Sequence, residues 1–168
     1  MAPVGQTRPP LHCTMAFTKL SLKGRALRYL AMREHSRAEL ATKLAPHVDE
    51  GDDLNAVLDE LEAKDFINAD RVVESVIHTK ASRFGAMRVA QELRQKGLDP
   101  ERITDAVAQL RSTELARAHD VWRRRFGAPP QTPQERAKQM RFLASRGFGG
   151  EAVRKVVSGQ GRGDEGDE

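Results

Sequence analysis

The stretch "ELRQKGLDPERITDAV", Glu92 to Val107, reads as the end of one helix, a tight corner and the start of another. Gly97 suits the left-handed C′ position of a helix, because it has no Cβ to clash there, and Leu98 can fold back on the preceding turn. Asp99 and Pro100 then serve as N-cap and first helical residue. Fifty residues on, "FLASRGFGGEAVRKVV" repeats the pattern. Arg146-Gly147-Phe148 answers Lys96-Gly97-Leu98, and Val153 and Val157 fall at the offsets of Ile103 and Val107.

Working outward, helix signals recur along the chain, and runs of alternating β-branched residues are almost absent. A first helix over about 20–33 places Leu27, Leu30 and Ala31 on one face. Ser36 and Glu39 form the ends of a capping box for a second, which closes near Pro46. A third follows the acidic "DEGDD" with Leu54, Val57, Leu58 and Leu61 at helical spacing. Asn68 caps a fourth, with Val72, Val73, Val76 and Ile77 on its apolar side. The fifth, after Phe84-Gly85, is expected to bury Met87, Ala90 and Leu93 and to show solvent Arg88, Glu92 and Lys96 at i, i+4 spacing. The sixth follows Pro100. The seventh carries Leu115, Ala118, Trp122 and Phe126. The eighth opens at Thr132-Pro133 with Glu135 completing a capping box, and turns Ala137, Met140, Leu143 and Ala144 inward. A short ninth carries Val153, Val156 and Val157.

The third, sixth and ninth helices write one apolar pattern three times, so the expected fold is all-α: three tandem three-helix modules, nine helices, forming an elongated, curved molecule. The modules span 20–67, 68–111 and 112–158. A leader over 1–19 and an acidic tail over 159–168 bury nothing and are expected to be disordered.

Composition narrows the function. The chain has 28 Lys and Arg against 24 Asp and Glu, net +4, with 39% hydrophobic and only 5% aromatic residues. The charge is unevenly placed: up to Ile67 there are 9 basic and 10 acidic residues, and from Asn68 to Gly163 there are 19 and 10. The acidic "GDEGDE" then ends the chain. A basic body points to an anionic partner. Cys13 is the only cysteine, which excludes an internal disulfide or a thiolate cluster and favours a reducing, cytoplasmic setting. The N-terminus lacks the apolar core of a signal peptide, and no run is long enough to span a membrane. Met15, just ahead of the first helix, is an alternative translation start.

Chemistry is missing. The five histidines show no metal-binding spacing, there is no phosphate-binding loop or nucleophile elbow, and "GFGGE" reads as a helix-ending turn. Neither catalysis nor a cofactor is expected. The candidate site is a basic strip: Arg83, Arg88, Arg94 and Lys96 in the middle module, Arg117, Arg123, Arg124 and Arg125 on the seventh helix, and Arg136, Lys138, Arg141 and Arg146 on the eighth. Such a strip suits nucleic-acid phosphates or an acidic protein surface. Tyr29, Trp122 and most phenylalanines fall on core stripes, which argues against sequence-specific reading of a single strand.

The segments "SLKGRALRYLAMREHSRAELATKL", "SRFGAMRVAQELRQKGLDPERI" and "AKQMRFLASRGFGGEAVRKVV", in that order, resemble the RecX family of bacterial RecA regulators over about 21–157. The resemblance implies tandem three-helix repeats and no enzymatic activity. It also implies binding to the RecA–DNA filament with inhibition of RecA ATPase, strand exchange and coprotease activity. The basic positions within "SRFGAMRVAQELRQKG" and "ERAKQMRFLASRG" would face RecA or DNA. Where members of the family commonly carry an aromatic in the fourth helix, this chain has Val72 or Val73. A monomer is expected. The alternative reading is a helix-turn-helix transcriptional regulator, against which the helix "PERITDAVAQL" offers few Arg, Asn or Gln side chains to read bases.

Overall fold

A computed structural model describes residues 20–160. The leader with Cys13 and Met15, and the acidic end from Gly161, lie outside the described residues. Within them the chain forms nine α-helices and no strand: α1 (Leu22–Met32), α2 (Arg37–Leu44), α3 (Leu54–Ala63), α4 (Ala69–Lys80), α5 (Ala86–Gln95), α6 (Pro100–Arg111), α7 (Glu114–Arg125), α8 (Pro133–Ser145) and α9 (Gly150–Val157). A single 3-10 turn, Ala45–His47, follows α2 at Pro46.

Three separate apolar clusters hold these helices, each drawn from three consecutive ones. Leu22, Ala26, Leu40, Leu44, Leu58 and Leu61 pack under α1 to α3. Val76, Val89, Leu93, Ile103 and Leu110 pack under α4 to α6. Trp122, Leu143, Phe148, Val153 and Val156 pack under α7 to α9. Each helix is too short to be stable alone, so its amphipathic face must be covered by its two partners. The residues that start the helices are those the sequence marks: Ser36 and Glu39 form the capping box of α2, and Asp53, Asn68, Asp99 and Thr132 accept hydrogen bonds from backbone N–H groups of α3, α4, α6 and α8.

Several inward faces differ from expectation. On α1 the buried residues are Leu22 and Ala26, while Leu27 and Leu30 are half-buried and Ala31 is exposed. Met87 is exposed; α5 buries Ala86, Val89, Ala90 and Leu93 instead. The α5 stripe runs at i, i+3, i+4 and i+7 from Ala86, which leaves Met87 one helical step off it. Ala137 and Ala144 are exposed, and Gln139 is buried. Its amide oxygen accepts from Trp122 Nε1 at 2.7 Å and its amide nitrogen donates to the Ala128 carbonyl. A polar residue is tolerated there because the indole N–H needs a buried partner. Glu135 does not close a capping box on Thr132: its carboxylate reaches one residue further and accepts from Gln131 N–H at 2.7 Å. Gly159 and Gln160, read from sequence as the start of the acidic tail, donate back to the carbonyls of Val156 and Lys155 and finish α9.

Gly97 and Gly147 form the same corner. Gly97 (φ 71°) donates to Arg94 and Leu98 to Leu93, and Gly147 (φ 81°) donates to Ala144 and Phe148 to Leu143. Each corner is also a joint. The carbonyl of Lys96, at the end of α5, accepts from the Ser36 hydroxyl at the start of α2. The carbonyls of Arg146 and Gly147, at the end of α8, accept from Gly85 N–H at 2.9 Å and Met87 N–H at 3.2 Å at the start of α5. The middle helices α5 and α8 therefore each place their negative carbonyl end on the positive N-terminal end of the preceding middle helix, a favourable dipole arrangement. Gly85 lets the second joint close tightly: a Cβ there would overlap the Gly147 carbonyl.

Candidate functional site

The two joints decide which basic side chains are free. At the first, Lys96 Nζ lies 2.9 Å from Glu39 Oε1, which Arg33 also reaches at 2.9 Å. With 14% of its side chain exposed, Lys96 is a structural cation and not a member of a solvent-facing i, i+4 row with Arg88 and Glu92. Glu92 instead pairs with Lys80. Burial alone would raise the Glu39 carboxyl, but hydrogen bonds from Arg33, Lys96 and Ser36 N–H overcome it and hold the pKa at about 2. Close by, Arg71 bridges Glu34 and Asp65 beside a shallow groove lined by Leu27, Leu30 and Phe66. This joint is charge-neutralised throughout.

At the second joint Arg117 is also structural. Its guanidinium donates to the carbonyls of Ala81 and Phe84, both at 2.8 Å, and Leu110 at 2.7 Å, tying α7 to the two turns that flank the second core. Burial shifts its pKa downward, with Glu114 opposing. Glu114 accepts from Ala86 N–H at 3.0 Å, giving α5 the cap that Gly85 cannot supply.

The remaining candidates face solvent. Arg83 lies in the turn before α5, Arg88 and Arg94 on α5, Arg123, Arg124 and Arg125 at the end of α7, and Arg136, Lys138 and Arg141 on α8, all exposed. Arg146, half-exposed, sits at the second corner itself. Of these ten, Arg123 alone forms an ion pair among the described residues, with Asp120 at 3.2 Å. Arg88 donates weakly to Gln91 at 3.4 Å.

Sequence reasoning missed the aromatic side chains among these cations. Arg146 lies 4.5 Å from the Phe142 ring centre and 5.8 Å from that of Phe84; Arg83 lies 5.9 Å from the Phe84 ring. Phe142 meets Phe126 edge to face at 5.2 Å, and Arg125 lies 5.6 Å from the Phe126 ring. The i, i+4 spacing of Phe142 and Arg146 was a readable signal. The approach of Phe84, some sixty residues away, was not.

The exposed side of α6 carries Glu101, Arg102, Thr104, Asp105, Ala108, Gln109 and Arg111, and Arg102 is held by Asp70 and Asp99. No helix among the described residues is long and apolar enough to cross a membrane.

Comparison with known proteins adds three family-model matches in order: the first three-helix domain of RecX over residues 23–61, the second over 70–107 and the third over 112–157. A protein of Leptothrix cholodnii named regulatory protein RecX is 56% identical over 139 residues, covering 83% of this chain and 88% of its own. One of the same name from Ralstonia nicotianae is 49% identical over 140 residues, covering 83% and 88%. Among solved structures, RecX from Lactobacillus salivarius superposes with a TM-score of 0.67 at 20% identity, covering 82% of this chain and 93% of that one. That likeness concerns the fold.

Proposed function

The chain belongs to the RecX family, and from that premise we propose that it binds the RecA–DNA filament and inhibits RecA ATPase, strand exchange and coprotease activity, acting in the cytoplasm as a monomer without catalysis of its own. The observation that carries the proposal is the basic surface of α5, α7 and α8, on which Arg123 alone among the candidates is paired within the described residues. It extends over two modules joined in series, and a filament offers repeated anionic sites that such a surface can meet several at a time. Contacts with the filament fall to Arg83, Arg88, Arg94, Arg123, Arg124, Arg125, Arg136, Lys138, Arg141 and Arg146. Lys96 and Arg117 support them from within the joints.

The test is the DNA-dependent ATPase of RecA measured with sub-stoichiometric amounts of this protein, with inhibition expected. Exchanging Arg88 and Arg94 together for Glu should weaken inhibition about tenfold, with helicity by circular dichroism unchanged, since neither side chain holds the fold. Wild-type protein that leaves the ATPase untouched while binding one duplex sequence tightly would support transcriptional regulation instead.

A further inference from the structure

In the third module an open groove lies where the end of α9 meets the start of α8. It is lined by Pro129, Pro130 and Pro133 around the start of α8, by Arg136 of α8, and by Val157 and Ser158 at the end of α9. Arg136 is exposed and forms no ion pair among the described residues. The adjacent acid does not serve it, because the Glu135 carboxylate accepts from Gln131 N–H at 2.7 Å. The prolines hold their stretch of backbone in a fixed conformation and offer no N–H. The groove is therefore preformed, and recognition of charge within it falls to Arg136.

The chain itself supplies an anion of matching reach. The described residues end at Gln160, two beyond Ser158, where Gly159 (φ 80°) turns the chain and both residues donate back to α9. The eight that follow, "GRGDEGDE", hold Asp164, Glu165, Asp167 and Glu168 against Arg162 alone, so they contribute −3 to a net charge of +4 and leave +7 on the remainder. They lie beyond residue 157, where the match to the third RecX domain stops, so the three-helix modules do not account for them. Three glycines and no apolar side chain let this backbone lie close against a wall of prolines. Extended, eight residues reach roughly 26 Å, more than the roughly 20 Å length of α8. Tethered two residues from the groove, the acids stand at an effective concentration on the order of millimolar. We propose that residues 161–168 dock in this groove with carboxylates on Arg136, and so act as a built-in competitor of the anionic partner for the basic surface of α8. Each exposed contact is weak and screened by salt, so the tail tunes affinity without abolishing it. The competition rests on the filament proposal; the docking does not.

The experiment compares the full chain with a neutral-tail variant of the same length, Asp164→Asn, Glu165→Gln, Asp167→Asn and Glu168→Gln. In proton–nitrogen correlation spectra at low salt, the two should differ at the amides of Gln131, Thr132, Arg136, Val157 and Ser158, all six or more residues from the nearest substitution. Salt at about 0.5 M should erase the differences, and so should Arg136→Gln in both proteins. Differences confined to residues beyond Ser158, or falling on another helix face, overturn the docking. Differences that grow with protein concentration overturn it as an intramolecular contact and give the groove to the tail of a second copy. In the RecA ATPase assay the neutral-tail variant should inhibit at about fivefold lower concentration than wild type in low salt, and at the same concentration in high salt. Equal inhibition in low salt overturns the competition. If neither protein inhibits, the filament proposal fails, and the spectra alone decide the docking.

Discussion

The two joints share a geometry and differ in chemistry. In both, the C-terminal corner of one middle helix, turned by a glycine with positive φ, sets its carbonyls on the N-terminus of the preceding middle helix. At the first joint a serine hydroxyl stands between them, and ion pairs of Glu39 with Lys96 and Arg33 close the contact. At the second, Gly85 brings backbone directly to backbone, and the cation at the corner rests on aromatic rings in place of a carboxylate. Repetition has kept the part of the joint made of backbone and dipole, and the side chains around it have become free to hold charge or neutralise it.

The difference can be broken at its glycines. Gly147→Ala would put a residue with a side chain at φ 81° and a Cβ 2.5 Å from Arg88 N, and a loss of about 3 kcal/mol is expected by urea unfolding. Gly97→Ala, at φ 71°, meets only the Ala38 methyl at 2.7 Å and should cost less, about 2 kcal/mol. Gly85→Ala isolates close approach from conformation, because its φ of −77° suits any residue; a loss near that of Gly147→Ala is expected, and a neutral result would show that the second joint is looser than described.

A smaller effect should come from Arg117→Met, which keeps the apolar stem and removes the donors to three carbonyls. About 2 kcal/mol is expected from the same unfolding measurement, together with faster amide exchange in the turns around Phe84 and Leu110. Arg123→Met, on the same helix and exposed, is the control and should be neutral within about 0.5 kcal/mol.

The smallest effect is in acid, and it belongs to the first joint. The Glu39 pKa is depressed from 4.5 to about 2, so its contribution to stability is present above pH 4.5 and is lost as pH falls from there toward 2. Glu39→Gln should remove on the order of 1 kcal/mol of that acid dependence, the side chain being only partly shielded from water. His35, buried beside this joint with its pKa lowered chiefly by desolvation, resists protonation in the folded state, so stability begins to fall below its ordinary value of 6.5. Denaturation midpoints of wild type and Glu39→Gln between pH 7 and 2 check both, and parallel curves would remove Glu39 from the joint's energetics.

Local chemistry was legible where it acts within a few residues. Ser36 with Glu39, Asn68, Asp99 and the corners at Gly97 and Gly147 serve a neighbouring backbone, so their spacing states their role. Faces were legible where Leu or Val recurs at helical spacing, as on α3 and α9. Met87, Ala137 and Ala144 misled because methionine and alanine are apolar without requiring burial, while Gln139 belongs inside only because Trp122 needs an acceptor there. Of the twelve basic candidates, the sequence could not separate the exposed ones from Lys96 and Arg117, whose partners Glu39 and the Ala81 carbonyl lie 57 and 36 residues away.

The helices, their caps, the threefold repeat and the surplus of basic charge are written in the amino-acid order, because these depend on periodicity, on backbone groups within one turn and on composition. Tertiary packing settled that the glycine corners are also the joints between repeats, that one joint is neutral and the other bare, and that Arg146 lies between Phe142 and Phe84. Those outcomes depend on which distant segments touch when three small cores pack in series, and neither charge neutralisation nor ring stacking leaves a mark on a chain until folding brings the partners together.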